Sequence, residues 1–185
     1  MTFVFNPFQK IPRLTRDMYV TEKLDGTNAS VHITPEGEFV TCSRNRIITP
    51  VDDNYGFSRW ANEHKEELMK LGVGSHFGEW WGNGIQRGYG LKEKRFSLFN
   101  PKCDISLIPC VSVVPKLYKG TFSLGKVDAL VEQLKASGSV AVPGFMDPEG
   151  VVVWHEAAGT YFKKTCKDDG ISKSEADARY KNASK

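Results

Sequence analysis

Hydrophobic and polar residues alternate along the chain in short stretches, which is the pattern of β-strands. The alternation predicts strands over 29–34 and 38–43, and the turn residues at 35–37 predict a hairpin between them. Further apolar stretches predict strands over 18–24, 76–81, 95–99, 110–114, 150–155 and 160–164. Many short strands joined by turns indicate antiparallel sheets.

Two segments instead repeat their apolar residues at helical spacing. Between 57 and 71 they recur every three or four residues, and Gly72 is expected to end this helix. Ser123 is a favourable N-cap for a second helix that runs to about 136 and stops near Gly138. The predicted fold class is therefore α+β, with antiparallel sheets flanked by helices.

The composition is that of an ordinary globular protein. Of 185 residues, 40% are hydrophobic and 25% charged, and no apolar run approaches the roughly 20 residues that cross a bilayer. The first ten residues lack the pattern of a secretory signal, so we expect a cytoplasmic protein without a membrane partner. The short chain makes a monomer the default expectation. The four cysteines form no zinc-type pair, and the net charge of +3 permits a nucleic-acid partner without requiring one.

Lys23 is the first candidate for chemistry. It ends a predicted strand and is followed by Asp25 and Gly26, and a glycine lets the backbone turn beside a ligand. A lysine can act as a nucleophile when its surroundings favour the neutral amine. Taken alone, however, the segment is more typical of a surface lysine and aspartate entering a turn.

A second candidate is Glu79, which lies between a glycine and two tryptophans. The surrounding segment 77–90 contains five glycines, so a ligand can approach its backbone closely. Glu79 can bind a ribose hydroxyl or a metal-bound water, or it can belong to an ordinary core strand followed by a loop. Trp80 and Trp81 must point to opposite faces of a strand, and one is expected to pack along a groove.

Two further candidates flank the last predicted hairpin. Glu149 and Gly150 precede an apolar strand, where a carboxylate can hold a metal ion beside phosphates or simply form a turn. Lys163 and Lys164 lie near the end of the last strand and must face opposite sides of it. One of these lysines can therefore point into a pocket that binds phosphates.

The order of the motifs resembles the covalent nucleotidyltransferase superfamily of DNA ligases, RNA ligases and capping enzymes. The motifs are K-x-D-G-T-N, S-R-N, G-E-W-W-G, F-x-x-F, E-G-V-V-V and a strand-end lysine. The T-N and G-x-G-I-Q sequences are most similar to the phage RNA ligase 2 family. The resemblance spans about 10–167 and implies an ATP-grasp-like ligase fold over 1–167, followed by a polar tail over 168–185.

The resemblance also implies roles for individual residues. Lys23 is expected to take AMP from ATP, and the AMP then passes to a 5′-phosphate end that a 3′-hydroxyl attacks. The implied catalytic residues are Lys23, Asp25, Glu149 and Lys163. The implied nucleotide-binding residues are Glu22, Lys23, Asn28, Arg44, Glu79, Phe99, Lys163 and Lys164. Glu149 is expected to bind Mg²⁺ or Mn²⁺, and Phe96 is a second candidate for stacking on adenine.

Two positions depart from the family pattern. The last motif usually carries a second lysine where this chain has Thr165, which leaves Lys164 or Lys167 as its replacement. Asn100 follows Phe99 where the family usually has an aspartate.

Four functions remain open at this point. The resemblance favours an ATP-dependent RNA ligase, whose partner is a nucleic acid with 5′-phosphate and 3′-hydroxyl ends. The alternatives are a minimal DNA ligase, a capping-type enzyme that uses GTP, and a nucleic-acid-binding module with weakened nucleotidyltransferase activity.

Overall fold

The computed structural model describes residues 3–167 and 169–171, which contain ten strands and three α-helices. The strands are β1 (Asp17–Lys23), β2 (Thr27–Ile33), β3 (Phe39–Ser43), β4 (Ile47–Ile48), β5 (Gly74–Gly82), β6 (Lys94–Leu98), β7 (Val111–Val113), β8 (Lys116–Thr121), β9 (Gly150–His155) and β10 (Thr160–Thr165). The helices are α1 (Phe57–Glu63), α2 (Lys65–Leu68) and α3 (Leu124–Ser137), with single 3₁₀ turns at Met69–Leu71, Gly88–Gly90 and Ile105–Leu107. Most of the predicted tail over 168–185 lies outside the described residues.

The strands form two sheets. The first, sheet A, has the order β10-β9-β1-β8, and the second, sheet B, has the order β4-β3-β2-β5-β6-β7. Within the described ranges every neighbouring pair is antiparallel except β6 and β7, which are parallel. The predicted α+β class is confirmed, and so is the predicted hairpin, which is formed by β2 and β3.

Both predicted helices are present, but the first is interrupted. His64 has φ −103° and ψ 18°, so the backbone leaves the helical conformation between α1 and α2. Its ring nitrogen Nδ1 lies 2.9 Å from the Trp60 carbonyl oxygen, which holds the ring against the preceding turn. The second helix, α3, begins after Ser123, whose hydroxyl accepts a hydrogen bond from the Lys126 backbone, and it ends at Gly138 with φ 81°.

Three hydrophobic clusters fill the interior. One packs α1 and α2 against sheet B around Phe57, and another packs α3 against sheet A around Val131. The third contains Leu24 and Trp81 and covers the other face of sheet B. Trp80 and Trp81 do face opposite sides, as predicted, but both are 2% exposed. The expectation that one lies along a groove is wrong, because the third cluster buries that face.

Candidate active site

Lys23 and Glu149 meet where β1 and β9 pair. Lys23 is opposite Gly150, so the residue before that glycine lies next to the lysine. The Lys23 ammonium donates a hydrogen bond of 2.7 Å to Glu149 Oε2, and the two side chains are 23% and 12% exposed. A Cβ on Gly150 would lie 2.2 Å from the Lys164 carbonyl oxygen, so glycine is required at this junction. The structure thus brings together two predicted catalytic residues.

Asp25 is 5% exposed and is held by an arginine to which the sequence assigned no role. Arg87 Nε donates a hydrogen bond of 2.9 Å to Asp25 Oδ2. Arg87 Nη1 also donates to the backbone oxygens of Asp147 at 2.8 Å and Pro148 at 3.1 Å. Arg87 therefore joins the K-x-D-G segment to the residues immediately before Glu149. The sequence feature that could have pointed to Arg87 is its position as the single arginine in the glycine-rich segment 82–90.

Glu79 lies close to the same centre. On β5 it is opposite Asn28 of β2, so the two side chains leave the same face of sheet B. Burial raises the pKa of Glu79 to about 7. The positive charge of Lys23 and a hydrogen bond from the Gly26 backbone oppose this increase, whereas the negative charge of Glu149 adds to it. Because each of these charges acts on Glu79, its carboxyl group belongs to the same cluster as the lysine.

The pairing of sheet A assigns the two strand-end lysines to different faces. Lys163 is opposite Val152, and Val152 is opposite Thr21, two residues before Lys23. Residues two apart on a strand, and residues opposite one another, share a face. Lys163 therefore projects on the same face as Lys23, as the predicted role in binding phosphates requires.

Lys164 projects on the other face of sheet A. It is opposite Val151, which packs against α3, and its ammonium donates a hydrogen bond of 2.6 Å to Asp128 of that helix. The structure does not bring Lys164 to Lys23, although the family resemblance implies that both bind the nucleotide.

Glu22 also lies on the face of sheet A that is opposite to Lys23. It is 1% exposed, and its carboxylate accepts hydrogen bonds from Ser139 Oγ at 2.6 Å and from the backbone amides of Val140 and Ala141 at 2.9 Å. These three donors satisfy the hydrogen-bonding capacity of a carboxylate that is buried. Its observed contacts fix the loop after α3, and they do not bring the carboxylate to the lysine.

The two candidates for adenine stacking lie in different parts of the structure. Phe96 is 1% exposed and lies in the core of sheet B, with its ring centroid 4.9 Å from that of Phe57. Phe99 is partly buried and packs against the cluster that contains Leu24, immediately after Lys23. Phe99 is therefore the ring that lies near the lysine.

The position of the missing motif lysine is in register with Lys23. Thr165 is opposite Gly150, which is opposite Lys23. Of the two suggested replacements, Lys167 lies nearer this centre, because its ammonium donates a hydrogen bond of 2.8 Å to Asp147 Oδ1. The same carboxylate oxygen is 3.3 Å from Arg87 Nη1.

Arg44 is exposed and directly follows β3. The preceding Ser43 is opposite Ala29, so Arg44 comes level with Asn28 on the neighbouring strand. It therefore flanks the face that carries Glu79 and is accessible to a ligand.

Within the described residues no group of three or more His, Cys, Asp or Glu side chains is arranged to hold a metal ion. Glu149 is nevertheless suited to a divalent cation, since Mg²⁺ is often held by one or two carboxylates together with substrate phosphates.

The helices in the described part of the chain are too short or too polar to cross a membrane.

Comparisons with known proteins give a consistent result. The sequence model of the RNA ligase family matches residues 16–167. A mutant Naegleria gruberi RNA ligase with ATP and Mn has a TM-score of 0.58 and 23% identity over 83% of this chain and 51% of that one. A second mutant with AMP and Mn has a TM-score of 0.57 and 22% identity over 82% and 50%. The same ligase with PPi has a TM-score of 0.54 and 23% identity over 82% and 50%.

No curated protein matches the chain significantly. The chain spans about half the length of the solved structures it resembles, and at this identity they show a shared fold. The sequence model, by contrast, covers most of the chain, from the start of sheet A to the end of its last strand. The chain belongs to the RNA ligase family.

Proposed function

We propose that the chain catalyses ATP-dependent RNA ligation, joining 3′-hydroxyl and 5′-phosphate ends through a lysyl-AMP intermediate. The observation that carries the proposal is the 2.7 Å contact between Lys23 Nζ and Glu149 Oε2 at the end of β1. A nucleophile, a partly buried carboxylate and a second lysine on the same sheet face are the groups that nucleotidyl transfer to lysine requires.

In the first step the Lys23 amine attacks the α-phosphorus of ATP. A P–N bond forms, the bond to the β-phosphate oxygen breaks, and pyrophosphate leaves. The Lys23 ammonium must first give up one proton to solvent. The hydrogen bond to Glu149 fixes the position of Nζ before attack. Lys163, on the same face as Lys23, would neutralise charge that develops on the phosphates.

Glu149 is the residue that would hold Mg²⁺ or Mn²⁺, with the remaining positions taken by phosphate oxygens and water. When bound there, the cation would neutralise phosphate charge and favour the neutral form of a nearby amine. The Glu149 side chain is 12% exposed, so part of it remains accessible.

The remaining site residues would bind the nucleoside and the nucleic acid. Glu79 and Asn28 share a face on which they can bind the ribose hydroxyls, and the partly buried Phe99 can stack on adenine. Arg44, being exposed, would contact the ribose or the incoming 5′-phosphate end. Asp25 would shape the phosphate region through its contact with Arg87.

A ligation assay tests the whole proposal. The protein is incubated with ATP, Mg²⁺ or Mn²⁺ and a 5′-labelled strand, either nicked or single-stranded, as RNA and in parallel as DNA. We expect an adenylylated RNA end and a sealed RNA product, both absent for Lys23→Ala. Sealing of DNA alone would favour the DNA ligase alternative, and use of GTP in place of ATP would favour a capping-type enzyme.

A further inference from the structure

Phe77 exposes a large aromatic ring in the middle of a sheet. It lies on β5, which has β2 on one side and β6 on the other, and it is 51% exposed. An aromatic ring on a central strand is normally covered by another layer of the fold. In the described part of the chain this ring keeps half of its surface in water.

The ring of Phe77 is next to the proposed nucleotide site. Phe77 precedes Glu79 by two residues on β5, so both side chains leave the same face. The backbone amide of Phe99 donates a hydrogen bond of 3.0 Å to the Phe77 carbonyl oxygen, so the two phenylalanines are neighbours across the sheet. The surface around Phe77 is therefore continuous with the face proposed to bind ribose and adenine.

His32 supports the ring from the side. The two ring centroids are 5.7 Å apart with the planes at 87°, so the imidazole meets Phe77 edge to face. The His32 ring nitrogens lie 2.9 Å from Ser30 Oγ and 2.8 Å from Ser75 Oγ, which fixes the orientation of the imidazole. Burial, with a smaller effect from His76, lowers the pKa of His32, so the imidazole is neutral at physiological pH.

We propose that Phe77, supported by His32, is a stacking platform for an unpaired base of the polynucleotide end that this site joins. The proposal rests on the proposed function and names a second subsite beside the ATP site. Exposed aromatic rings on a sheet face bind unpaired bases by stacking, and such binding tolerates different base sequences.

The surroundings favour a nucleic acid over an apolar protein surface. The side chains nearest Phe77 on its face include the hydroxyls of Ser30 and Ser75 and the imidazole of His32, so the exposed ring is not part of a broad apolar patch. Arg44 is exposed on the far side of β2 and can contact a backbone phosphate while the base stacks on Phe77.

The test is the binding of a fluorescently labelled single-stranded oligoribonucleotide with a 5′-phosphate, measured by polarisation. We expect Phe77→Ala to raise Kd roughly 5- to 100-fold, as the loss of one stacked base does, and Phe77→Trp to bind at least as well as the wild type. A DNA strand of the same sequence should depend on Phe77 to a similar degree, because the bases of both strands have an aromatic face.

Phe162→Ala is the matched control, because Phe162 is also a phenylalanine on a strand and is 54% exposed, but it lies on β10 of sheet A. It should leave Kd within about twofold of the wild-type value. Equal binding by Phe77→Ala and wild type would overturn the platform, and so would equal losses in Phe77→Ala and Phe162→Ala.

Failure of the platform can be told apart from failure of the proposed function. Labelling of Lys23 by ATP should be the same in Phe77→Ala and the wild type, because the platform contacts the nucleic acid and not ATP. Loss of labelling in a Phe77→Ala variant that melts normally would place the ring in the ATP site and overturn the inference. If the wild type itself is not labelled, the proposed function fails, whereas the binding comparison still tests the platform.

Discussion

Arg87 donates a 2.9 Å hydrogen bond to Asp25, and this contact joins two parts of the site that are 62 positions apart in sequence. The same guanidinium group donates to the backbone at Asp147 and Pro148. One side chain therefore sets the distance between the segment that carries Lys23 and the segment that carries Glu149. A planar fork with several donors can hold three acceptors at once, whereas a lysine ammonium cannot do so in this geometry.

Arg87→Lys should consequently impair the transfer of AMP to Lys23. We expect the rate of labelling to fall on the order of 100-fold, because small displacements of reacting groups have effects of that size. Arg87→Ala should also lower the free energy of unfolding by about 1–3 kcal/mol, since the buried Asp25 loses a charged partner.

Arg95→Lys is the control for the Arg87 variants, because Arg95 pairs with Glu93 in a more exposed position. Its labelling rate and its urea-unfolding curve should match those of the wild type within error. Unchanged labelling in Arg87→Lys would show that Arg87 does not position the two segments.

Glu79 should make stability depend on pH. Burial raises the pKa of its carboxyl group from 4.5 to about 7. At pH values between these two pKa values the folded protein keeps a proton that the unfolded chain releases. The stabilisation from protonated Glu79 is therefore complete below pH 4.5, decreases as the pH rises toward 7, and is lost above pH 7. In the wild type this effect lowers the free energy of unfolding by up to roughly 3 kcal/mol as the pH rises, and Glu79→Gln should abolish that decrease.

Urea unfolding at about pH 5 and about pH 8 measures this effect. The difference in free energy of unfolding between the two pH values should be smaller for Glu79→Gln than for the wild type. Glu36→Gln, which changes an exposed turn residue, should behave as the wild type does. An identical pH dependence in Glu79→Gln and wild type would contradict the raised pKa.

The two strand-end lysines should respond differently to removal. Lys163→Ala is expected to slow the labelling of Lys23 roughly 100-fold, because it removes a cation from the face proposed to bind the phosphates. Lys164→Ala breaks a partly exposed ion pair with Asp128, so it should leave the urea-unfolding curve close to that of the wild type and change labelling by less than about threefold. The reverse order of effects on labelling would mean that the face assignment is wrong.

Local patterns predicted the elements whose sequence matches their environment. The alternation that predicts the β2–β3 hairpin is present because Ala29, Val31 and Ile33 of β2 are buried on one face, where Phe39 of β3 packs against the same cluster. The strand β8 was not predicted, because K-L-Y-K-G-T contains two lysines and a glycine and shows no clean alternation. This segment forms a strand because it pairs with β1 in sheet A, and such a tertiary contact is not visible in the local sequence.

The candidate site divides in the same way. Alternation predicted that Lys163 and Lys164 face opposite sides, but only the pairing with β9 shows which of them shares a face with Lys23. The contact of Arg87 with Asp25 depends on the path of a glycine-rich loop, which has no local periodicity. The hydrogen bonds of Glu22 likewise could not be predicted from the sequence, because their donors lie more than a hundred positions away.

The measurement that tests the central claim most directly is transfer of label from α-labelled ATP to the protein. The protein is incubated with the nucleotide and Mg²⁺ or Mn²⁺, denatured, and mapped to the labelled peptide. We predict label on Lys23, none in Lys23→Ala, and full label in Lys119→Ala, which changes an exposed lysine on β8. Label that persists in Lys23→Ala, or no label in the wild type with either metal, would contradict the assignment of Lys23 as the nucleophile.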